Sequence, residues 1–331
     1  MTKDSRLDLL TQWVRQFDGF SEACPRAVPV DASFRRYFRV RANQNYIVMD
    51  APPWREDCRP YIEIAGYLKE MGLNCPRVIA ADIERGFLLL TDLGSVEYLA
   101  GIKANPDNVG RLYRNAIDAL TVMHKIGVSS QTKLPPYDDR LLYLELSVFR
   151  EWLCGQHLGL VFSDEDEYQW QLVCDELVEC ALAQPKVFVH RDYHSRNLMV
   201  TDENNPGILD FQDAVEGPYT YDLVSLLKDC YVKWPEEITI TRARYFFERL
   251  EIEGISEPQF VRDFDLMGVQ RHLKAAGIFA RLLHRDNKTG YLKDAPRTLS
   301  YILDIAPRYE VLKFLNELIE FRLLPALDKT M

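Results

Sequence analysis

The 331-residue chain lacks the sequence features of several large classes of protein. It has no run approaching the ~20 apolar residues of a membrane-spanning helix, and its N-terminal segment MTKDSRLDLL has no apolar stretch of the kind found in secretory signals. No two of its seven cysteines are spaced as C-x-x-C, and their number is odd. A zinc site and a disulfide framework are therefore disfavoured, and we expect a cytoplasmic protein with reduced thiols.

A concentrated basic surface is also missing. The formal net charge is -10, and the acidic residues are spread along the chain without forming a tail. A nucleic-acid-binding protein needs a basic patch or stripe, so we expect no nucleic acid as a partner. We also expect no membrane and no obligate protein partner. Any phosphate-bearing ligand must be held locally, by a few basic groups, backbone amides or a metal ion.

The patterns that are present indicate a small N-terminal lobe built on a β-sheet. Leu7, Leu10 and Val14 recur on one face of an amphipathic helix whose N-cap is Asp4 or Ser5. Five short apolar runs bounded by turn residues predict a five-stranded meander, with one helix inserted after the third strand. The predicted strands cover residues 28–30, 36–40, 46–50, 77–82 and 86–92, and the inserted helix covers residues 61–71.

The rest of the chain is predicted to be mainly helical. Apolar residues recur with a helical period between Val109 and Met123, and residues 138–154 and 164–183 also have helical patterns. We therefore predict an α+β fold with a small antiparallel-sheet lobe in residues 1–93 and a larger lobe in residues 94–331. The cleft between two such lobes is a common ligand site. Three short β-type runs interrupt the helices, at residues 186–190, 197–200 and 207–211.

The most informative stretch is VFVHRDYHSRNLMVTDENNPGILDFQDA, residues 187–214. Two short strands flank a loop that carries Asp192 and Asn197, and a third strand ends in Asp210. Phosphoryl transfer needs a positioned acceptor hydroxyl and a cation on the phosphates. Asp192 could accept the hydroxyl proton, while Asn197 and Asp210 supply the oxygen ligands that magnesium prefers.

This stretch resembles the active-site segments of known kinases. The H-R-D-x-x-x-x-N spacing, followed by a second aspartate at a strand end, matches the protein-kinase signature. The segments VHRDYHSRNLM, ILDFQDA and GPYTYDLVSLLKD resemble the catalytic loop, metal-binding segment and following helix of the aminoglycoside-phosphotransferase and choline-kinase superfamily. The resemblance implies a bilobal protein-kinase-like fold that uses ATP and Mg²⁺. It also implies Asp192 as catalytic base, with Asn197 and Asp210 as metal ligands.

A narrower resemblance extends from about residue 33 to residue 283. SFRRYFRV, YIVMDAPP, GFLLLTDLG, HRDYHSRNL and RHLKAAGIFARL are together similar to the bacterial N-acetylmuramate/N-acetylglucosamine anomeric kinases of peptidoglycan recycling. This similarity implies an amino-sugar substrate whose anomeric (C1) hydroxyl receives the phosphate. The segment LLLTDLG resembles the hinge between kinase lobes, where Thr91, Asp92 and Leu93 would bind the nucleotide.

The N-terminal lobe departs from the kinase pattern at its phosphate-covering loop, because there is no G-x-G-x-x-G motif. The turn at residues 31–36 takes its place. Ser33 could bind phosphate there, with added charge from Arg35 or Arg36. Alternatively, the two arginines form only a solvated hairpin tip.

The lobe also lacks the lysine of the V-A-I-K motif. The third strand has the sequence YIVMDAP, so Met49 or Asp50 occupies the lysine position. Glu63, on the inserted helix, is the nearest candidate for the glutamate that pairs with that lysine in kinases. Alternatively, Glu63 is an ordinary surface carboxylate.

Polar residues around the catalytic stretch have both a structural and a functional interpretation. We interpret His190 as a brace for the loop rather than a general base, and Asp222 as a carboxylate that interacts with the free amides at a helix N-terminus. His194 and Arg196 could contact the acceptor or the transferred phosphoryl group, and Asp213 could bind substrate or hold the loop.

A basic cluster lies on a predicted late helix. Arg271, with His272 and Lys274 beside it, could recognise the lactyl carboxylate of a muramic-acid sugar. The alternative is that the three residues form a solvated helix face. Arg271 is the member of this cluster that we name as a substrate-binding candidate.

Two other functions are compatible with the sequence. An aminoglycoside or amino-alcohol phosphotransferase would share the catalytic stretch, but a polycationic acceptor requires a pocket ringed with carboxylates. A nucleotide-binding scaffold without turnover would explain the missing lysine. The presence of Asp192, Asn197 and Asp210 together argues against a scaffold, which has no need for all three.

Overall fold

A computed structural model describes residues 4–28, 34–127 and 133–330. Ser33, one of the predicted nucleotide contacts, lies outside the described residues. The N-terminal part contains a five-stranded antiparallel sheet in the order β1-β2-β3-β5-β4. Its strands are β1 (Arg26–Val28), β2 (Arg36–Arg41), β3 (Asn45–Asp50), β4 (Val78–Asp82) and β5 (Phe87–Thr91).

The strand order corrects the predicted meander. Strand β5 lies between β3 and β4, and helix α2 (Arg59–Glu70) carries the chain from β3 to the far edge of the sheet. The physical reason is burial on both faces, since four consecutive residues of β5 are at most 1% exposed whereas β4 alternates between partly buried and exposed positions. A strand that is apolar on both faces needs neighbours on both sides, and the alternating strand suits an edge.

The two faces of the sheet are covered by different helices. Helix α1 (Ser5–Val14) packs Leu10 and Trp13 on one face, and Asp4 caps it by accepting from the Leu7 amide at 3.1 Å, as the sequence predicted. Helix α2 covers the other face, in an apolar cluster that continues into the helical part of the chain. Because this core is continuous, the division at residues 93 and 94 stays a prediction.

The C-terminal part is organised around one long buried helix, α9 (Glu257–Asp286). This helix packs against α5 (Asp139–Val148), α6 (Asp164–Ala183), α7 (Tyr221–Leu227) and α10 (Ala295–Ile305). Helix α5 continues directly into a π-helical segment, Phe149–His157. The predicted α+β architecture is therefore confirmed. The helices are α3 (Tyr98–Ala104), α4 (Val109–Ile126), α5 (Asp139–Val148), α6 (Asp164–Ala183), α7 (Tyr221–Leu227), α8 (Glu236–Leu250), α9 (Glu257–Asp286), α10 (Ala295–Ile305), α11 (Lys313–Glu317) and α12 (Leu324–Leu327).

Two short antiparallel ladders hold the stretch that was singled out for chemistry. Strand β6 (Lys186–Val189) pairs with β9 (Val215–Pro218), and β7 (Leu198–Met199) pairs with β8 (Gly207–Ile208). The sequence analysis missed β9, because VEGP contains glycine and proline and lacks a strand pattern. The loops between these strands open into the cleft between the sheet and the helices.

Candidate active site

The loop that carries Asp192 is fixed by buried polar groups beneath it. The Asp222 carboxylate accepts from the backbone amides of His190 at 2.6 Å and Arg191 at 3.0 Å. The His190 ring donates to the Leu209 carbonyl at 2.9 Å and accepts from the Asp192 amide at 3.2 Å. Burial lowers the pKa of His190 to about 4, which keeps the ring neutral. The predicted role of His190 as a brace for the loop is confirmed. Asp222 is also structural, but its partners are amides of the catalytic loop rather than, as was predicted, the free amides at the N-terminus of its own helix.

Asp192 lines the cleft and is surrounded by cations. Burial acts to raise the pKa of its carboxyl, but the positive charges of Lys274, Arg271 and Arg191 outweigh burial and lower the pKa. Lys274 is held in place by Glu145 at 2.7 Å. The carboxylate is therefore ionised at neutral pH and able to accept a proton.

Asn197 is oriented by the same loop. Its Nδ2 donates to the backbone carbonyl of Asp192 at 3.0 Å, which leaves the amide oxygen as the atom for an external ligand. The Leu209 amide donates to the Asn197 carbonyl at 2.9 Å, and this bond ties the loop to the residues that follow β8.

Asp210 follows β8 and adopts a left-handed backbone conformation, with φ of 60°. The Gln212 amide donates to Asp210 Oδ1 and to Asp213 Oδ2, both at 3.1 Å, so Gln212 links the two carboxylates. Desolvation and the negative charge of Asp192 raise the pKa of Asp210 to about 6. This crowding of negative charge is a feature that a bound cation would relieve.

The oxygens of Asn197 and Asp210 therefore fit a magnesium ion. The described residues contain no cluster of three His, Cys, Asp or Glu side chains placed to hold a metal. This is compatible with magnesium, which is usually held by one or two carboxylates and takes its other ligands from phosphates and water.

Arg35 occupies the cleft where the kinase lysine is missing. Its guanidinium is only 8% exposed, donates to Glu56 Oε2 at 2.6 Å and lies 3.9 Å from Asp210 Oδ1. Sequence reasoning missed Glu56, which precedes α2 and has no motif around it. Glu63 is exposed and accepts from the Tyr67 hydroxyl at 2.8 Å, so its surface interpretation is the correct one.

Arg36 points to the opposite side of β2, because successive side chains on a strand alternate between faces. It binds the fully buried Asp50 at 2.9 Å through Nε, and it also pairs with Asp4. Arg6 donates to the same Asp50. The structure thus gives no support to the prediction that Arg36 contacts a nucleotide, since its guanidinium joins α1 to the sheet.

The predicted hinge lies at the edge of the cleft. Arg39 binds the Asp92 carboxylate and donates to the Gly94 carbonyl at 2.8 Å, so the Asp92 side chain has a structural partner. The Thr91 hydroxyl accepts from the Arg77 amide at 2.9 Å. Any nucleotide contact at the hinge would therefore use backbone groups. An apolar slot adjoins the hinge and is lined by Val28, Ile47, Leu90, Leu93, Met199 and Leu209.

The part of the cleft lined by the catalytic loop is aromatic and cationic. The Arg196 guanidinium stacks over the rings of Tyr231 at 4.8 Å and Tyr291 at 5.7 Å. His194 meets Tyr231 edge-on, with ring centroids 5.5 Å apart. The structure thus brings His194 and Arg196 to the lining of the cleft, beside Tyr231.

The basic cluster on α9 is buried, so the solvated-face interpretation is wrong. His272 stacks on Tyr301 at 4.7 Å, and Lys274 pairs with Glu145. Arg271 is 6% exposed, donates to Cys230 Sγ at 3.7 Å and lines the cleft. Of the three residues, only Arg271 is among those that line the described cleft.

These residues surround one cleft of about 810 Å³. The cleft has a sheet lobe above it, a loop of the catalytic type below it and an apolar slot at the hinge. This arrangement defines a kinase-like phosphotransferase. The chain belongs to the phosphotransferase enzyme family, whose profile matches residues 25–264. It is an enzyme of the small-molecule kinase type.

Individual relatives agree with this assignment. The chain is 44% identical to the N-acetylmuramate/N-acetylglucosamine kinase of Pseudomonas aeruginosa, over 96% of this chain and 97% of that protein. It is 40% identical to the protein of the same name from Neisseria meningitidis, over 84% of each chain.

Solved structures of kinases share the fold at low sequence identity. A choline kinase from Streptococcus pneumoniae superposes with a TM-score of 0.63, at 13% identity, over 90% of this chain and 99% of that one. An ADP-bound aminoglycoside phosphotransferase superposes with a TM-score of 0.60, at 13% identity, over 90% of this chain and 98% of that one. Within the described residues, no helix is long and apolar enough to cross a bilayer.

Proposed function

We propose that this chain is an ATP-dependent kinase that phosphorylates the anomeric hydroxyl of N-acetylmuramate and N-acetylglucosamine. The reaction would take place in the cytoplasm and serve peptidoglycan recycling. Relatives with this name match almost the whole chain. The structural observation that carries the proposal is the charge of the acceptor end of the cleft, by which we mean the part lined by the catalytic loop and α9.

Arginines line the acceptor end. Arg196, Arg271 and Arg281 all line it, whereas a polycationic aminoglycoside requires carboxylates at this position. The acceptor is therefore a neutral or anionic molecule, and N-acetylmuramate carries a carboxylate. The acidic residues that line the cleft have other assigned partners: Asp192, Asp210 and Asp213 surround the reacting centre, Glu56 binds Arg35, and Asp92 and Glu97 lie near the hinge.

The nucleotide would lie on the hinge side. The apolar slot suits a flat purine ring, and the backbone of Thr91, Asp92 and Leu93 would read its edge. Arg35 is placed to bind the phosphates, because Glu56 holds its guanidinium beside Asp210. Asn197 and Asp210 would hold Mg²⁺, which neutralises the phosphate charge when bound.

Asp192 would act as the base. The acceptor hydroxyl oxygen forms a bond to the terminal phosphorus of ATP, the bond from that phosphorus to ADP breaks, and the hydroxyl proton passes to Asp192. An anomeric hydroxyl is more acidic than an ordinary sugar alcohol, so the demand on the base is modest. His194 and Arg196 would contact the sugar, and Arg271, whose charge acts on Asp192, would stabilise the transferred phosphoryl group. Asp213 would orient Gln212 or the sugar.

An acceptor panel tests this proposal. ATP consumption should be measured with N-acetylmuramate, N-acetylglucosamine, glucose, kanamycin and choline. We expect turnover of the two N-acetyl sugars, far slower turnover of glucose, and loss of activity with EDTA that added magnesium restores. Glucose is disfavoured because a buried polar pocket rejects an analogue without the matching group, by ~10⁴-fold in favourable cases. Turnover of kanamycin or choline without turnover of amino sugars would reject the substrate assignment.

A further inference from the structure

Arg281 is distinctive among the arginines of the acceptor end. It is partly buried and lines the cleft, yet its Nε is buried and finds no hydrogen-bond partner in the described parts of the chain. The same parts of the chain offer it no ion pair. Arg196, by contrast, is stacked on two tyrosines. The Nε of Arg271 is likewise buried without a partner, but its Nη1 donates to Cys230.

No carboxylate of the described residues lies within ion-pair distance of Arg281, and the charges of Asp286 and Glu145 act on it only from further away. Its neighbours on the cleft-facing side of α9 are Ile278, Phe279 and Leu282, which also line the cleft. An arginine stays ionised even when partly buried, and a charge removed from water is unfavourable unless it is paired. The nearby Arg285 adds a second positive charge on the same helix. A ligand carboxylate would supply the missing partner.

We propose that Arg281 binds the lactyl carboxylate of N-acetylmuramate and so determines the preference between the two acceptors. This inference rests on the proposed function. N-acetylglucosamine has no carboxylate, while the planar guanidinium fork matches a carboxylate in a two-bond geometry. The apolar neighbours exclude water and strengthen this contact.

Arg271 and Arg281 have different tasks in this arrangement. Arg271 acts on Asp192 and lies near the reacting hydroxyl. Arg281 follows ten residues later, which places it roughly 15 Å further along the axis of α9. The lactyl group is attached at C3 of the sugar, two ring positions from the anomeric C1, and it extends outward from the ring. Because both arginines line the same cleft, the two long side chains would contact different substituents of one sugar.

The test is the ratio of kcat/KM for N-acetylmuramate to kcat/KM for N-acetylglucosamine. We expect Arg281→Gln to lower this ratio about ten- to a hundredfold, the loss expected for a hydrogen-bonded contact to a charged group. Arg281→Lys should recover part of it. Arg271→Gln should lower kcat/KM for N-acetylmuramate and kcat/KM for N-acetylglucosamine by similar factors. The matched control is Arg285→Gln, since Arg285 is exposed on the same helix and pairs with Asp286 at 2.9 Å. Because its charge is paired and screened by solvent, its loss should change the ratio far less than Arg281→Gln does.

A neutral analogue separates recognition of charge from general damage to the pocket. With the methyl ester of N-acetylmuramate, wild type and Arg281→Gln should give the same kcat/KM. An unchanged ratio in Arg281→Gln, or an equal loss for both sugars, would overturn the role of Arg281 and leave the proposed function standing. If the wild type phosphorylates neither sugar, the proposed function itself fails.

Discussion

Asp192 illustrates how a partly enclosed carboxylate can stay ionised. Burial favours its protonated form, and the cations of Lys274, Arg271 and Arg191 favour the ionised form and prevail. Glu145 in turn binds both Lys274 and Arg191 and fixes these two cations below the loop. The network maintains a base in the cleft without bonding to the base itself.

Asp192→Asn should lower kcat about 10²–10⁴-fold, because the amide cannot accept the hydroxyl proton. Nucleotide affinity should change little, since Asp192 contributes to the chemical step. Single-turnover kinetics and a direct nucleotide-binding measurement separate the two effects. A variant that keeps most of the wild-type rate when chemistry is rate-limiting would remove Asp192 from the mechanism.

Arg35 places a cation in the cleft of a chain that lacks the lysine of the kinase V-A-I-K motif. The third strand has Met49 or Asp50 in place of the expected lysine, and both are fully buried. Arg35 reaches the cleft from the residue just before β2, and Glu56 holds it as a glutamate holds the lysine in kinases. The cation is thus delivered from a different strand.

Arg35→Met should lower kcat/KM for ATP by about ten- to a hundredfold, as expected for the loss of hydrogen bonds to a charged phosphate. Arg36→Gln is the matched control, because the neighbouring residue faces α1 and binds Asp50. That control should reduce stability and leave KM for ATP unchanged. Equal effects of the two substitutions on KM for ATP would mean that Arg35 has no special contact with the nucleotide.

At the level of elements, the sequence predicted individual strands and helices better than their arrangement. The runs around β2, β3, β4 and β5 were each found within one or two residues, because alternation and turn residues are local signals. The pairing of β3 with β5 was missed, because it depends on how α2 crosses the sheet. Strand β9 was missed because its pairing with β6 fixes it, rather than its own propensity.

Helix α9 is positioned by a close backbone contact at Gly277. A Cβ atom placed there would lie 2.5 Å from the Phe149 amide nitrogen and 2.6 Å from the Val148 carbonyl oxygen. Only glycine permits this approach between α9 and the π-helical segment. The contact sets the position of the helix face that carries Arg271 and Arg281.

Gly277→Ala should lower the free energy of unfolding by about 1–3 kcal/mol, because the methyl group must displace backbone. The measurement is urea or thermal unfolding. Gly110→Ala is the control, since a Cβ on this α4 residue meets nothing within 4 Å. Alanine there should raise stability by up to about 1 kcal/mol, the difference in helix propensity. A neutral Gly277→Ala variant would show that α9 and the π-helical segment can move apart freely.

For the whole molecule, the catalytic residues were predictable and their surroundings were not. Asp192, Asn197 and Asp210 lie within one short stretch, so spacing and residue type identified the set, and their assigned roles stay predictions. Glu56 has no motif around it, and Arg281 lies in RHLKAAGIFARL without having been picked out there; only the fold shows that both reach the same cleft. Periodicity could have placed Arg271, Ala275, Ile278 and Leu282 on one face of α9, without showing what that face meets.

The net charge of the whole molecule has the opposite sign to the charge of the arginines that line the acceptor end of the cleft. The chain has a net charge of -10, yet the acceptor end of its cleft is lined by three arginines. The acidic net charge taken alone would have been compatible with a cationic substrate. The local arrangement favours an anionic or neutral sugar instead, and this contrast separates the proposed function from an aminoglycoside phosphotransferase.

The position of the transferred phosphate tests the central claim most directly. The chain should be incubated with ATP, magnesium and N-acetylmuramate, and the product examined by phosphorus and proton NMR. We expect a phosphate coupled to the anomeric proton, in a 1-phosphate that mild acid hydrolyses. A phosphate on the C6 hydroxyl, or an acid-stable product without coupling to the anomeric proton, would contradict it.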